Sequence, residues 1–411
     1  MAWRKYHTIW TVMALGWVSL YIVRMGMTPV MGMIMKEFQI SYATAGSLFS
    51  AIFISYTLMQ VPSGYLGDRF GRRKILIAST LLWFFLSLAT ALVETFAMLV
   101  FVRVLTGFAH GTFFGNEKPT IVANTPVDKM GQGQAVSFIG LAFGFFIAVF
   151  FSGMIADYTH SWRSVFVVFS VPSLLSSFLI YKYIKDPERT GTGEKNSPSL
   201  PTYRKAFSNG NLWLMYLLGF TLLYAYWLLA TWMPSIYQEI GITGVTTSSL
   251  LSAILGLMGI PGLFISGTLS DRFVQKGFDR KWFIAINAFV WALLMLGIAY
   301  AVQVKASGTV ISSLYFASGF VAFGVWPPYY ALLGDLAPTE AVGTTFGLAN
   351  LIGFLSAWIA PYLTGYMKDV THSFSGGLYV AAFVLAAGVI LSLAVRSPRR
   401  ENSQMVEELS G

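Results

Sequence analysis

Five ionisable side chains interrupt stretches otherwise apolar enough to cross a bilayer: Arg24, Arg103, His110, Glu117 and Lys118. A charge at the centre of the hydrocarbon costs about 2.5 to 3.5 kcal/mol on insertion scales, so each needs a physical reason to be there. A guanidinium keeps its proton, and its planar fork fits a carboxylate, sulfonate or phosphate. Arg24 has no acidic residue in its own apolar run to neutralise it, which makes it the first candidate to hold an anionic ligand. The plainer reading is a buried Arg held by carbonyls or a carboxylate to fix helix packing. Arg103, His110 and Glu117 lie seven apart, so on a helix they stack on one face with about 20° of drift per step and draw a polar stripe through the membrane. A mid-membrane imidazole can carry a coupling proton, or stay neutral and bond a carbonyl. Glu117 pairs with Lys118, or with Arg72 and Arg73 as a gate latch, or holds a proton in transit.

The elements that must position these groups are membrane helices. With 55% hydrophobic and only 11% charged residues, the 411-residue chain is too apolar for a soluble core. Twelve runs of spanning length begin near Ile9, Ala43, Ile75, Phe96, Val136, Val165, Leu212, Leu250, Trp282, Val310, Thr345 and Leu378. The expected fold class is therefore an all-α membrane protein with twelve transmembrane helices in two pseudo-symmetric six-helix bundles. The expected boundaries are an N-terminal bundle over 1–185, a polar linker over 186–211, a C-terminal bundle over 212–396 and a tail over 397–411. Twenty basic residues fall in the termini and the segments on their side of the membrane, against four on the other side, Lys36, Arg163, Lys305 and Lys368. That asymmetry predicts both termini in the cytoplasm and a multi-pass protein of the inner (plasma) membrane. It also explains the net charge of +9 by topology, without nucleic acid as a partner. No cysteine is present, and His7, His110, His160 and His372 are scattered. No metal site, cofactor or catalytic centre is expected, and no cleavable signal peptide, because Arg24 breaks the first apolar run. Gly107, Gly111 and Gly115 form a small-xxx-small series in the fourth run, and the fifth, eighth and eleventh carry similar ones, which permit close helix approach.

Residues 64–74 read GYLGDRFGRRK, and a degraded copy, GTLSDRFVQKGFDRK, begins at Gly267. Each copy is a Gly-containing basic turn between two apolar runs, and SLFSAI at Ser47 is matched by SLLSAI at Ser249, so the two halves are parallel repeats. Asp68, Arg69, Arg72 and Arg73 of the first turn, Asp271 and Arg272 of the second, and Asp335 with Glu340 beside the inner end of the tenth run are the expected gating residues. The second half has no mid-span charge. It offers amphipathic aromatics instead: Tyr224, Tyr226, Trp227, Trp232, Trp326, Tyr329 and Tyr330, with Asn350 in the eleventh run. Trp232 is expected at the lipid–water interface, and the Trp326–Tyr330 segment, with Pro327 and Pro328, is the expected hinge or cavity wall.

The paired basic turns resemble the signature loop of the major facilitator superfamily of secondary transporters. The first half is similar to the anion:cation symporter branch, which includes sugar-acid, hexuronate and sialin-like carriers. The matching features are YIVR ending at Arg24, the segment from Gly46 through Lys74, VRVLTG from Val102, and Ser161-Trp162-Arg163. The resemblance implies alternating access to a site at the meeting of the two halves. Arg24, Tyr21, His110, Asn116, Tyr224, Trp227, Trp326, Tyr330 and Asn350 would line it, and His110 and Glu117 would serve proton coupling. Family members often carry Asp where this chain has Val23 and Glu where it has His110. Either His110 takes over the proton or the carrier exchanges one anion for another. The expected function is a monomeric carrier of a small organic anion, a monocarboxylate or sugar acid, coupled to H⁺. The competing readings are a proton-driven exporter of amphiphilic drugs and a non-transporting membrane sensor.

Overall fold

The computed structural model describes residues 3–126, 129–185, 207–338 and 342–396. With no water in the hydrocarbon, backbone groups must pair within their own segment, and the described chain is accordingly helical almost throughout. The first half holds α1 (Lys5–Met25), α2 (Met31–Phe38), α3 (Tyr42–Phe70), α4 (Arg72–Ala91), α5 (Phe96–Asn124), α6 (Met130–Thr159) and α7 (Trp162–Tyr183). The second holds α8 (Gly210–Glu239), α9 (Val245–Gln275), α10 (Arg280–Gln303), α11 (Gly308–Gly324), α12 (Trp326–Leu336), α13 (Val342–Thr371) and α14 (Ser375–Ala394). Among the described residues twelve spans are long and apolar enough to cross a membrane, with α11 and α12 together making the tenth. The expected linker falls mostly outside the described residues, as does the tail, and α8 begins at Gly210 because Asn209 caps it by accepting from Asn211 N–H. Ser41, Thr95 and Ser307 cap α3, α5 and α11 in the same way, each accepting from a backbone N–H three residues on.

Two spans are broken. The first stops at Met25, directly after Arg24, passes through a buried turn and resumes as the short α2. Polar side chains take up the freed carbonyls: Ser152 Oγ donates to Gly26 O and Thr28 Oγ1 to Met25 O. Glu37 at the end of α2 accepts from Trp162 Nε1 at 2.7 Å and pairs with the Arg163 guanidinium at 2.6 Å. That hydrogen-bonded guanidinium holds the Glu37 carboxyl below the usual carboxylate range. The tenth span breaks at Val325, where Pro327 and Pro328 follow in the first turn of α12.

Within each half the small residues do what their spacing predicts. The glycine series of α5 packs on α3, and a Cβ at Gly107 would lie 2.2 Å from the Ile52 carbonyl oxygen. Between the halves, α3 packs on α13 and α6 on α9. The start of α1 and the end of α14 lie on one face of the bundle, the termini face, and the cross-half contacts gather toward the opposite, far face. There Asp369 at the end of α13 accepts from the first N–H groups of α3, Tyr42 at 2.9 Å and Ala43 at 2.8 Å. Asp157 at the end of α6 likewise accepts from Thr246 N–H at 2.8 Å in the first turn of α9, and from its hydroxyl. The two clamps are equivalent under the repeat. Each Asp opens the sequence Asp-x-Thr-His-Ser-aromatic (Asp157–Trp162 and Asp369–Phe374), and His160 and His372 both take left-handed φ values, 52° and 59°. Gly365, one turn before its Asp, makes the approach possible, since a Cβ there would lie 2.3 Å from Tyr42 O.

A carboxylate on a helix N-terminus joins charge-assisted hydrogen bonds to a favourable dipole. Asp157→Asn and Asp369→Asn keep the shape and lose the charge, so the pair of changes should release the far face. The native chain has no cysteine, so spin labels at Tyr158→Cys and Lys305→Cys report on that face alone. The double variant is expected to shift their distance distribution to longer values, with each single change giving a smaller shift. An unchanged distribution would mean that the clamps do not hold the far face shut.

Candidate functional site

Arg24 ends α1, so the C-terminal end of that helix turns its carbonyls, and the negative end of its dipole, toward the cation. The side chain is 1% exposed. Among the described residues no carboxylate comes within ion-pair distance of it. Nε donates to His110 Nδ1 at 3.4 Å, and Nη2 has no hydrogen-bond partner. Three rings surround the guanidinium, with centroids 4.6 Å away for Tyr56, 5.3 Å for Phe53 and 5.5 Å for Tyr21. Because an Arg can only donate, His110 Nδ1 must present its lone pair here, so the ring is neutral with its hydrogen on Nε2. That Nε2 is buried and unpartnered, and the ring stands edge-on to Trp83 with centroids 5.1 Å apart. His110 lies midway along α5, so the pair sits at the middle of the membrane.

The aromatic surround continues into the second half. Phe53 meets Trp227 of α8 at 4.3 Å and Phe354 of α13 at 5.8 Å, and Tyr56 meets Phe354 at 5.2 Å. Tyr226, beside Trp227 at 5.0 Å, brings its hydroxyl near that of Tyr21 without completing a hydrogen bond. Trp227 Nε1 is also unpartnered. Tyr330 of α12 lies within interaction range of Tyr21 and Tyr56. It stacks between Trp326 at 5.7 Å and Phe346 at 5.8 Å and donates to Asn350 Oδ1 at 3.4 Å. Tyr21, His110, Trp227, Tyr330 and, through Tyr330, Trp326 and Asn350 therefore share one site with Arg24.

Other expected residues lie elsewhere. Asn116 donates from Nδ2 to Ser63 O at 3.1 Å and Thr112 O at 2.8 Å, bracketing α5 against α3. Tyr224 packs on Phe220 within α8, and its hydroxyl is unpartnered. Tyr329 turns into α8 and donates to Met215 O at 3.0 Å. Trp232 is fully buried and not a lipid-facing anchor: it donates to Pro361 O at 2.9 Å and packs against Phe374. The polar stripe of α5 is real but divided, because each member meets a different helix. Arg103 donates to Thr90 at 2.6 Å and lies over Phe166, inside the first half. His110 meets Arg24 of α1. Glu117 pairs with Lys118 at 3.3 Å and accepts from Ser137 of α6, while Lys118 Nζ sits 3.8 Å over the Phe138 ring. Of the expected gating residues, Arg69 donates to Tyr65 OH at 3.0 Å and Arg73 to Tyr181 O at 2.5 Å, and the Arg72 stem lies by Gly67. Arg280 pairs with Asp271 at 3.0 Å and approaches Asp335 at 3.9 Å, and Arg272 is exposed. The Asp68 side chain and Glu340 lie outside the described residues.

Phe53, Tyr56 and Phe354 were not singled out by the sequence, although Phe53 and Tyr56 flank the SLFSAI repeat on its exit side. The clamp residues Asp157 and Asp369 had a signal as well, the repeated Asp-x-Thr-His-Ser.

The profile of the Major Facilitator Superfamily matches residues 13–361. The probable galactarate/D-glucarate transporter of Escherichia coli K12 is 25% identical, with 90% of each chain covered. The voltage-gated purine nucleotide uniporter of Rattus norvegicus is also 25% identical, over 93% of this chain and 88% of its own. Among solved structures, a bacterial homologue of the human lysosomal transporter Spinster, inward-facing and occupied, superposes with a TM-score of 0.81 at 15% identity, covering 96% of this chain and 97% of that one.

The bracket formed by Asn116 predicts a stability phenotype. Asn116→Ala should lower the melting temperature of the purified protein, with about 0.6 to 1.7 kcal/mol lost per interhelical hydrogen bond in lipid, and leave ligand affinity within twofold. An affinity loss without a stability loss would put Asn116 in the binding site.

Proposed function

The chain belongs to the major facilitator superfamily, and on that premise we propose that it carries a small organic anion across the membrane by alternating access, with Arg24 holding the anionic group and His110 carrying a coupled proton. One observation carries the reading: a permanent cation, 1% exposed at mid-membrane between the halves, has no counter-ion among the described residues and an unused N–H. An uncompensated buried charge is costly, and a substrate anion would remove that cost when it binds. Arg103 is equally buried, but Phe166 and Thr90 enclose it within the first half, away from a path between the halves.

The twenty basic residues that the sequence assigns to the termini and the segments on their side support a cytoplasmic placement of that side in the inner membrane. With the far face then outside, the two aspartate clamps close the outer gate. The Arg24–His110 bond supports proton coupling. His110 Nδ1 cannot take a proton while Arg24 donates to it. An anion that draws Arg24 away frees the lone pair and brings a negative charge that favours the imidazolium, so anion and proton bind together. The relatives' names include a sugar-acid carrier and a nucleotide uniporter, which supports an anionic substrate. The aromatic wall of Phe53, Trp227 and Phe354 favours a second reading, export of amphiphilic drugs. Arg24 opposes it for cationic drugs.

Arg24→Lys keeps the charge and loses the fork, and Arg24→Ala loses both. Affinity for a carboxylate ligand should fall in that order, with the alanine variant losing about 1.5 to 3 kcal/mol, roughly one to two decades. Isothermal titration on folded protein checks this, and wild-type affinity in Arg24→Ala would end the organic-anion reading. For the proton, His110→Gln should abolish uphill accumulation driven by a pH gradient and retain counterflow, which needs no net protonation. Uphill accumulation at the wild-type level would move the coupling site away from His110.

A further inference from the structure

Resting on the anion reading above, we infer that the substrate's body is flat and poor in hydroxyls, an aryl or otherwise conjugated monocarboxylate and not a polyhydroxy acid. The guanidinium is ringed by Tyr21, Phe53 and Tyr56, so whatever is attached to an anionic group on the free Nη2 must lie against aromatic faces. Those faces run without a break into the second half, with Phe53 on Trp227 at 4.3 Å and Trp227 near Phe354 at 6.1 Å. A planar ring can insert into such a stack and recover the offset and edge contacts it displaces.

Hydrogen-bonding capacity points the same way. The unpartnered buried atoms here are mainly donors: Arg24 Nη2, His110 Nε2 and Trp227 Nε1, with the Tyr226 hydroxyl able to act either way. Donors suit carboxylate oxygens. A polyol acid also brings a hydroxyl proton on nearly every carbon, each needing an acceptor once it leaves water. Among the described residues no carboxylate faces the stack, and the amide oxygens at hand are two, Asn350 Oδ1 with one bond from Tyr330 already made and that of Gln60, which donates to Tyr56, against a hydroxyl on nearly every carbon. The phenol oxygens that remain can serve an isolated hydroxyl, not a row of them. Charge bears on the valence too: Arg24 is the one permanent cation that the stack surrounds among the described residues, and a single carboxylate neutralises it.

The test is a ranking of probes on the full-length purified protein by isothermal titration: benzoate, gluconate, galactarate and the uncharged benzamide. The expected result is benzoate at least tenfold tighter than gluconate or galactarate, with no binding of benzamide. Phe53→Leu and Trp227→Leu should weaken benzoate several-fold, and by a larger factor than they weaken gluconate. Gluconate or galactarate binding as tightly as benzoate, with the affinity lost in Arg24→Ala, would overturn the aromatic inference and leave the organic-anion reading standing. Failure of all three anions to bind, or anion binding indifferent to Arg24→Ala, would overturn both. The wild-type ranking decides the matter even if a leucine variant does not fold.

Discussion

A positive charge that cannot be neutralised is fixed where the two halves meet, and the architecture around Arg24 follows from making that tolerable. The protein does not pair it with a carboxylate. It ends α1 there, so that the helix dipole opposes the charge. It turns a neutral imidazole lone pair toward Nε and sets three quadrupolar rings around the guanidinium. Each device compensates in part and leaves Nη2 of the fork without a hydrogen-bond partner. Breaking the first span directly after Arg24 has a structural cost too, met by Ser152 and Thr28 on the exposed carbonyls.

The contacts between the halves are of two kinds, and the difference suits a carrier. Toward the far face they are polar and positional: aspartates on helix ends, Ser50 Oγ donating to Trp358 O at 2.7 Å, and glycines against backbone. At mid-membrane they are aromatic and adaptable, since rings can slide over one another with little change in energy. A rocking motion that separates the halves trades the first kind all at once and the second gradually. Lipid offers no hydrophobic force to hold helices together, so such short-range contacts decide which conformation is populated.

Much of this was legible in the sequence because membranes impose simple rules. Spanning length, the basic asymmetry and the doubled Asp-Arg-Phe turn are one-dimensional signals, and so is an Arg stranded in an apolar run. Neighbour choice is not. Spacing put Arg103, His110 and Glu117 on one face of α5, but helix crossing hands them to α4 and α7, to α1, and to α6 in turn. Spacing also could not tell that Trp232 is enclosed by Pro361 and Phe374, since burial and interfacial placement call for the same residue. Asn116 looked like a ligand group for the same reason: a polar side chain in a span reads alike whether it meets substrate or a neighbouring carbonyl.

The doubled aspartate clamp has a kinematic consequence. One attachment would leave two rigid bodies free to swivel about a point in every direction. Two attachments, one joining α13 to α3 and the other α6 to α9, define a line, and the bodies can then turn only about that line, like a door on two hinges. While both hold, the halves retain a single angular freedom, and it spreads them at the face that carries the chain ends. Opening the far side demands that both pins be drawn together, so an asymmetric, half-released posture that would leave a continuous leak through the bilayer lies off the easy path of the motion.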